Sequence, residues 1–275
     1  MNTQRFRSYP ANCLGRDFVL GDIHGAYDMV LQGMRQVRFD KKVDRIFSVG
    51  DLIDRGAGSH RALEFLAQPY VYAVRGNHDD DFSTLSLDDM KVLGAMNWNG
   101  LKWVLDVTDE KLLAIKEKFM TLPIAIEVAT SRGSVGLVHG EVPAGMSWQS
   151  FTQALQRGDE KVIESALTGR DRLQSKDATG VAGIGRVFVG HTVQWTGPTK
   201  LANVVAIDTG AVFRELKIDG GRGSLTMVNL ACHSGVLAFT AEQVAAQTGQ
   251  DSFVVTHAEE GVGPFGAYAV PGPTQ

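Results

Sequence analysis

The chain has 275 residues, of which 44% are hydrophobic and 21% charged, an ordinary globular composition with apolar material for one large core. A net charge of -4 excludes the strong basic excess of a general nucleic-acid binder, and no window approaches the roughly 18 consecutive apolar residues of a membrane span. The two cysteines, Cys13 and Cys232, lack a CxxC spacing, which excludes a disulfide framework and points to a reducing, cytoplasmic setting.

Residues 1–15 contain no apolar signal segment and read as an N-terminal extension. Three apolar runs follow, each ending in Gly and a polar cluster: FVL into GDIHG, RIFSV into GDLIDRG, and VYAV into RGNHDD. Runs bounded this way read as buried strands. Helical patterns separate them, with Tyr27, Val30, Met34 and Val37 on one face of the first and Ala62, Leu63 and Leu66 in the second. This βαβ alternation predicts an α/β fold with a parallel sheet, whose chemistry collects in loops at the strands' carboxyl ends. Residues 84–120 read as a helical insertion, with Leu112, Leu113, Ile115 and Phe119 at helical spacing and Pro123 closing it. PIAIEV and SVGLVHG form a strand pair around Arg132 and Gly133, and a charged helical stretch covers about residues 148–168. RVFVGHT, NVVAIDTG, SLTMVNL and GVLAFT are further strand candidates. The catalytic domain is expected over 16–240, with a Gly/Ala/Pro-rich tail over 241–275 that receives no chemistry.

The polar clusters are the place to look for a site. In an extended strand end, residues i and i+2 point to one side, so Asp22 and His24 can converge on a cation. Asp51 ends the next strand and can share an oxygen between that cation and a second. Asn77 offers a neutral oxygen, and His139 and His191 offer imidazole nitrogens. Such a mixed oxygen and nitrogen set suits two divalent ions of the Mn, Fe or Zn type, which generate a hydroxide nucleophile and clamp phosphate oxygens. Arg55 can fork two phosphate oxygens, and His78 can protonate a leaving oxygen with Asp54 orienting it. His60 reads as solvent-facing, and His233 and His257, near the tail, as non-functional. Asp80 and Asp81 read as helix-start carboxylates, and Trp98 and Trp103 as packing residues in preference to a lid.

The motifs GDIHG, GDLIDRG, RGNHD, VHGE, GHT and IDTGAVF resemble, in order, those of the phosphoprotein phosphatase family of metallophosphoesterases, most closely its bacterial and bacteriophage branch, over residues 16–218. The resemblance implies a central β-sandwich flanked by helices and two divalent ions, Mn2+ foremost. It assigns Asp22, His24 and Asp51 to one ion and Asp51, Asn77, His139 and His191 to the other. It further implies His78 with Asp54 as the general-acid pair, Arg55 as a phosphate-binding arginine, and Arg170 as a second one, with Arg172 as its alternative. The family usually reads GNHE where this chain has Asp79. That aspartate also occurs in related diadenosine tetraphosphate hydrolases, which generally lack the acid found here as Asp54.

The expected activity is therefore phosphomonoester hydrolysis on phosphoserine and phosphothreonine in proteins, with phosphotyrosine and small phosphomonoesters as further substrates. A dinucleoside polyphosphate hydrolase and an inactive binding scaffold are the alternatives. Nucleic-acid and membrane partners are not expected, and the sequence is silent on oligomeric state.

Overall fold

A computed structural model describes residues 4–217, 220–231 and 267–270. Its strands are β1 (Phe6–Tyr9), β2 (Asp17–Leu20), β3 (Arg45–Ser48), β4 (Val71–Ala73), β5 (Ala125–Thr130), β6 (Gly133–Val138), β7 (Arg186–Val189), β8 (Thr199–Leu201), β9 (Val204–Ala206), β10 (Leu225–Asn229) and β11 (Ala267–Val270). Between them lie α1 (Tyr27–Gln36), α2 (Ala62–Leu66), α3 (Asn77–Thr84), α4 (Leu87–Ala95), α5 (Asp109–Met120), α6 (Trp148–Arg157), α7 (Glu160–Thr168), α8 (Asp171–Ser175) and α9 (Ala211–Glu215). Short 3-10 turns cover Ala57–Arg61 and Trp98–Asp106.

Two mixed sheets form, ordered β1-β5-β6-β7-β9-β8 and β11-β10-β2-β3-β4. The expected parallel pairing holds for β2-β3-β4 and again for β6-β7-β9. Antiparallel partners at β5, β8 and β10 make each sheet mixed.

Period-two alternation decides how the sheets stack. In β2, Val19 points between the sheets while Phe18 and Leu20 point toward the helices; in β7, Phe188 points inward while Val187 and Val189 point out. The inter-sheet core joins Val19, Phe47 and Val228 of one sheet to Ile126, Leu137, Phe188 and Val205 of the other. Both strand faces are apolar because each sheet is covered twice, by its partner and by a helical layer. One layer includes α1 and α5 and packs on Phe18, Leu20 and Ile46; the other includes α6 and packs on Val138 and Val187. Each fully buried Phe or Leu contributes about 1.5–3 kcal/mol of burial free energy.

Three strands lie where the sequence reading placed none. Phe6–Tyr9, inside the segment read as an extension, pairs in parallel with β5, and Ala267–Val270, inside the tail, pairs antiparallel with β10. Thr199–Leu201 is a half-exposed edge strand. The first and last of these in the chain gain their place from partners distant in sequence, and β8 carries no long apolar run to announce it. The candidate strand GVLAFT, Cys232, His233 and His257 lie outside the described residues.

Candidate active site

Every predicted site residue except Arg170, which lies between α7 and α8, sits just beyond the carboxyl end of a parallel strand. Asp22 and His24 follow β2; Asp51, Asp54 and Arg55 follow β3; Asn77 and His78 open α3 after β4. His139 follows β6 and His191 follows β7. The two sheets deliver these ends to one edge of the sandwich. The backbone there is strained: His24, Asp51, Asp54, Arg55 and His191 all have φ between 45° and 71°. Left-handed non-glycine residues are disfavoured and collect at functional sites, where the surrounding structure holds them.

Asp51 is the hub. Its Oδ2 lies 3.4 Å from His24 Nε2 and 3.3 Å from His139 Nε2, and its Oδ1 accepts the His78 backbone N–H at 3.0 Å. Donor atoms of His24, Asp51 and His78 fall within 4.8 Å of one another, as do those of Asp51, His139 and His191, so Asp51 belongs to both groups. Asn77 Oδ1 is 3.0 Å from His139 Nε2. Backbone carbonyls orient the imidazoles: His24 Nδ1–H donates to Ile53 O at 2.7 Å and His139 Nδ1–H to Val49 O at 2.9 Å, which turns both Nε2 atoms to the centre. His191 Nε2 lies 3.0 Å from Thr168 O and 2.8 Å from Arg170 Nε. Asp22 Oδ2 accepts the His191 backbone N–H at 2.9 Å, whereas its Oδ1 is buried with no partner.

That orphaned oxygen is what a cation ligand looks like before its cation is counted. The electrostatics agree. Burial, with the nearby charge of Asp208, raises the Asp22 carboxyl well above its usual range. Burial alone would lower His139, yet the carboxylates of Asp51 and Asp22 push it up to about 10, so a proton supplies the positive charge the cluster lacks. Burial also opposes ionisation of Asp51, but the charges of His139 and His78 hold it well below the normal range. Burial and the neighbouring His139 drop His191 to about 3, and burial keeps His24 well below normal, so both imidazoles are neutral. Neutral imidazoles, an amide oxygen and buried carboxylates short of positive charge fit divalent ions with mixed oxygen and nitrogen preference.

Beside the hub, His78 Nδ1–H donates to Asp54 Oδ2 at 2.7 Å. Burial lowers the imidazole's proton affinity, but Asp51 and Asp54 outweigh it and leave His78 raised. Arg55 reaches both rings, with Nη1 2.5 Å from His24 Nε2 and Nη2 2.9 Å from His78 Nε2. Asp79 is fully buried and accepts the backbone N–H groups of Leu52 at 2.9 Å and Gly76 at 3.0 Å, a shorter carboxylate still tying two motif loops together.

The structure separates the two candidate arginines. Arg170 reaches His191 at the site, but Arg172 is 3% exposed, with Nη1 2.8 Å from Asp177 Oδ2, and serves the fold. Glu141 of VHGE accepts the Arg172 backbone N–H at 2.8 Å, so it fixes the loop that carries Arg170. Of the tryptophans, Trp103 is buried as expected for packing, but Trp98 is 41% exposed and is not a packing residue. His60 is exposed as read.

One residue and one contact escaped the sequence reading. Asp208, at the end of β9, is 3% exposed and is raised to about 6 by burial and the charge of Asp51. The strand-end logic that selected Asp22 and Asp51 applies equally to IDTG and would have found it. Trp103 donates its indole N–H to Asp54 Oδ1 at 2.8 Å, a contact across 49 positions with no local signal.

Comparison with known proteins agrees with this geometry. Residues 18–195 match the family model described as calcineurin-like phosphoesterase. The serine/threonine-protein phosphatase 1 of Salmonella typhimurium is 34% identical over 202 residues, covering 71% of this chain and 87% of the relative. A symmetrical bis(5'-nucleosyl)-tetraphosphatase of Sodalis glossinidius is 33% identical over 121 residues, covering 38% of this chain and 43% of the relative. Among solved structures, one provisionally named a diadenosine tetraphosphatase superposes with a TM-score of 0.59 at 21% identity, covering 82% of this chain and 93% of that one, a likeness of fold. The chain belongs to the calcineurin-like phosphoesterase family and is a metal-dependent phosphoester hydrolase.

Proposed function

We propose that the chain is a serine/threonine protein phosphatase of the cytoplasm, with tyrosine-phosphorylated proteins and small phosphomonoesters as further substrates, and that its two ions are Mn2+. Asp22, His24 and Asp51 would hold one ion, and Asp51, Asn77, His139 and His191 the other. Bound there, the ions supply Lewis acidity that activates water and neutralises phosphoryl charge. Arg55 and Arg170 orient the phosphoryl oxygens, for which a planar guanidinium is suited. His78 gives its Nε2 proton to the departing alkoxide, and Asp54 steadies the resulting charge at Nδ1.

The observation that carries this reading is the His78–Asp54 pair, bonded at 2.7 Å directly beside the Asp51 hub. A serine alkoxide is a poor leaving group and needs such a donor. The exposed, free thiol of Cys13 accords with a reducing compartment, and no helix among the described residues is long and apolar enough to cross a membrane.

The test is a side-by-side rate comparison of phosphoserine peptides, diadenosine tetraphosphate and a phosphodiester with Mn2+-loaded enzyme, after chelation has abolished activity. The phosphopeptides are expected to be fastest. Preference for diadenosine tetraphosphate would install the dinucleotide reading in its place, and activity that survives chelation would remove the metal assignment.

A further inference from the structure

The insertion between β4 and β5 carries a strained loop that neither the metal ligands nor the phosphate arginines account for. Asn97, Asn99 and Gly100 have φ of 51°, 49° and 84°, three left-handed residues within four positions. The strain aims this loop at GDLIDRG. Gly100 O accepts the Arg55 N–H at 3.0 Å, and the backbones lie so close that a Cβ on Gly100 would meet Arg55 N at 2.5 Å. Three residues on, Trp103 Nε1–H donates to Asp54 Oδ1 at 2.8 Å, while the other carboxylate oxygen, Oδ2, accepts from His78. The indole is 7% exposed and stacks on Phe82 at 5.4 Å and 25°. Phe82 lies on α3, the helix whose first turn carries His78. The tryptophan is therefore braced by the same helix that presents the proposed acid.

We propose that Trp103 is a positioning residue for leaving-group protonation, locking the Asp54 carboxylate so that His78 Nε2 stays aimed at the departing oxygen. The inference rests on the acid-pair reading of Asp54 and His78. A carboxylate bonded through one oxygen can rotate about its Cβ–Cγ bond and lose its alignment with the imidazole. A second donor on the other oxygen fixes the plane. An indole N–H does this without adding charge, so Asp54 keeps its full attraction for an imidazolium, which a lysine or arginine in the same place would weaken. Through Gly100 O the same loop seats Arg55, so the phosphate fork and the acid share one frame. The loop also walls a cleft of about 640 Å³ running from Arg55 past Lys102 and Val107 to Leu216.

Trp103→Phe keeps the stack on Phe82 and removes the N–H. Site-specific 3-benzothienylalanine, a bicyclic isostere with sulfur in place of N–H, preserves the packing should the smaller ring loosen the fold. Either variant, loaded with Mn2+, is expected to lose about tenfold in kcat on a phosphoserine peptide, the usual worth of a hydrogen bond to a charged group. KM, metal content and turnover of para-nitrophenyl phosphate, whose leaving group needs no proton, are expected to stay within about twofold. In an Asp54→Asn background the Trp103 substitution should cost nothing further, because it acts through that carboxylate. Asp54→Asn alone reports on the acid pair independently. If Asp54→Asn is selective for the phosphopeptide but the Trp103 variants slow both substrates equally, or add their full effect on top of Asp54→Asn, the proposal is overturned and the acid-pair reading stands. Equal loss on both substrates for Asp54→Asn itself would bring down that reading and this proposal with it.

Discussion

Gly190, between β7 and His191, offers a sharp test of the metal assignment because it touches the orphaned carboxylate without being a ligand. A Cβ at this position would lie 2.0 Å from Asp22 Oδ1 and 2.8 Å from Val49 Cγ2. To reach ordinary contact in Gly190→Ala, the carboxylate must retreat by about 1.4 Å, and Asp22 is fixed by the His191 N–H on its other oxygen. Overpacking of this kind costs about 1–3 kcal/mol, and loss of a hydrogen bond to a charged acceptor about 1.5–3 kcal/mol. The combined effect, about 4 kcal/mol, should lower Tm by roughly 10 °C. A ligand displaced by more than an ångström leaves the coordination sphere, so Mn2+ affinity should fall at least ~10–100-fold, the loss usual for an outer partner alone. Calorimetric Mn2+ titration and thermal unfolding of the apo protein measure the two effects separately. Gly183→Ala is the control: its φ of +82° makes any side chain costly there, but nothing lies within 4 Å of the added methyl. It should lose about 1 kcal/mol of stability and no metal affinity. A Gly190→Ala protein that binds both ions as tightly as the parent would refute the placement of Asp22 as a ligand.

Binding and chemistry should separate at the histidines: His191→Ala is expected to lower metal content together with rate, whereas His78→Asn should keep both ions and lose roughly 10²–10⁴ in kcat. Elemental analysis beside turnover checks this, and metal loss in His78→Asn would overturn its role as acid. Arg170→Ala should raise KM for phosphopeptides and leave Tm unchanged. Arg172→Ala should instead lower Tm and leave KM unchanged, because it removes a buried guanidinium paired with Asp177 and bonded to the carbonyl of Val142. Equal effects from the two arginines on KM would show that the loop's geometry had been misjudged. Burial and the neighbouring Asp28 raise the Glu215 carboxyl from 4.5 to about 7. The folded state thus favours the protonated form, and the stability this gives is full below pH 4.5 and lost as pH rises through 7. Glu215→Gln should raise Tm at pH 8 and leave it unchanged near pH 4, and an equal gain at both would exclude titration as the cause.

Much of the site was legible because its information is local. Two ligand-type residues two positions apart at a strand end, as in Asp22 and His24, declare their geometry within five positions, and a single ligand-type residue directly after an apolar run or its closing Gly recurs at Asp51, Asn77, His139 and His191. The order of those clusters along βαβ units then sufficed to place them on one edge of a sheet. The apolar runs themselves were equally readable: strands covered on both faces are continuous hydrophobic stretches, as FVL and RVFV are.

What only the tertiary structure decided depends on partners distant in the chain. Arg170 and Arg172 are two residues apart at the start of α8, and nothing in their spacing separates them. It is Asp177 and the buried Glu141–Arg172 backbone bond that turn one inward and leave the other at His191. Strands β1 and β11 carry weak patterns of their own and exist as strands because β5 and β10 offer open edges. The contact of Trp103 with Asp54 spans 49 positions and depends on a left-handed loop, whose φ angles no composition announces. The proposed ligands lie in short motifs because coordination needs particular atoms at particular strand ends. The alignment of those atoms is held by packing and hydrogen bonds across long loops, and such contacts exist only once the chain has folded.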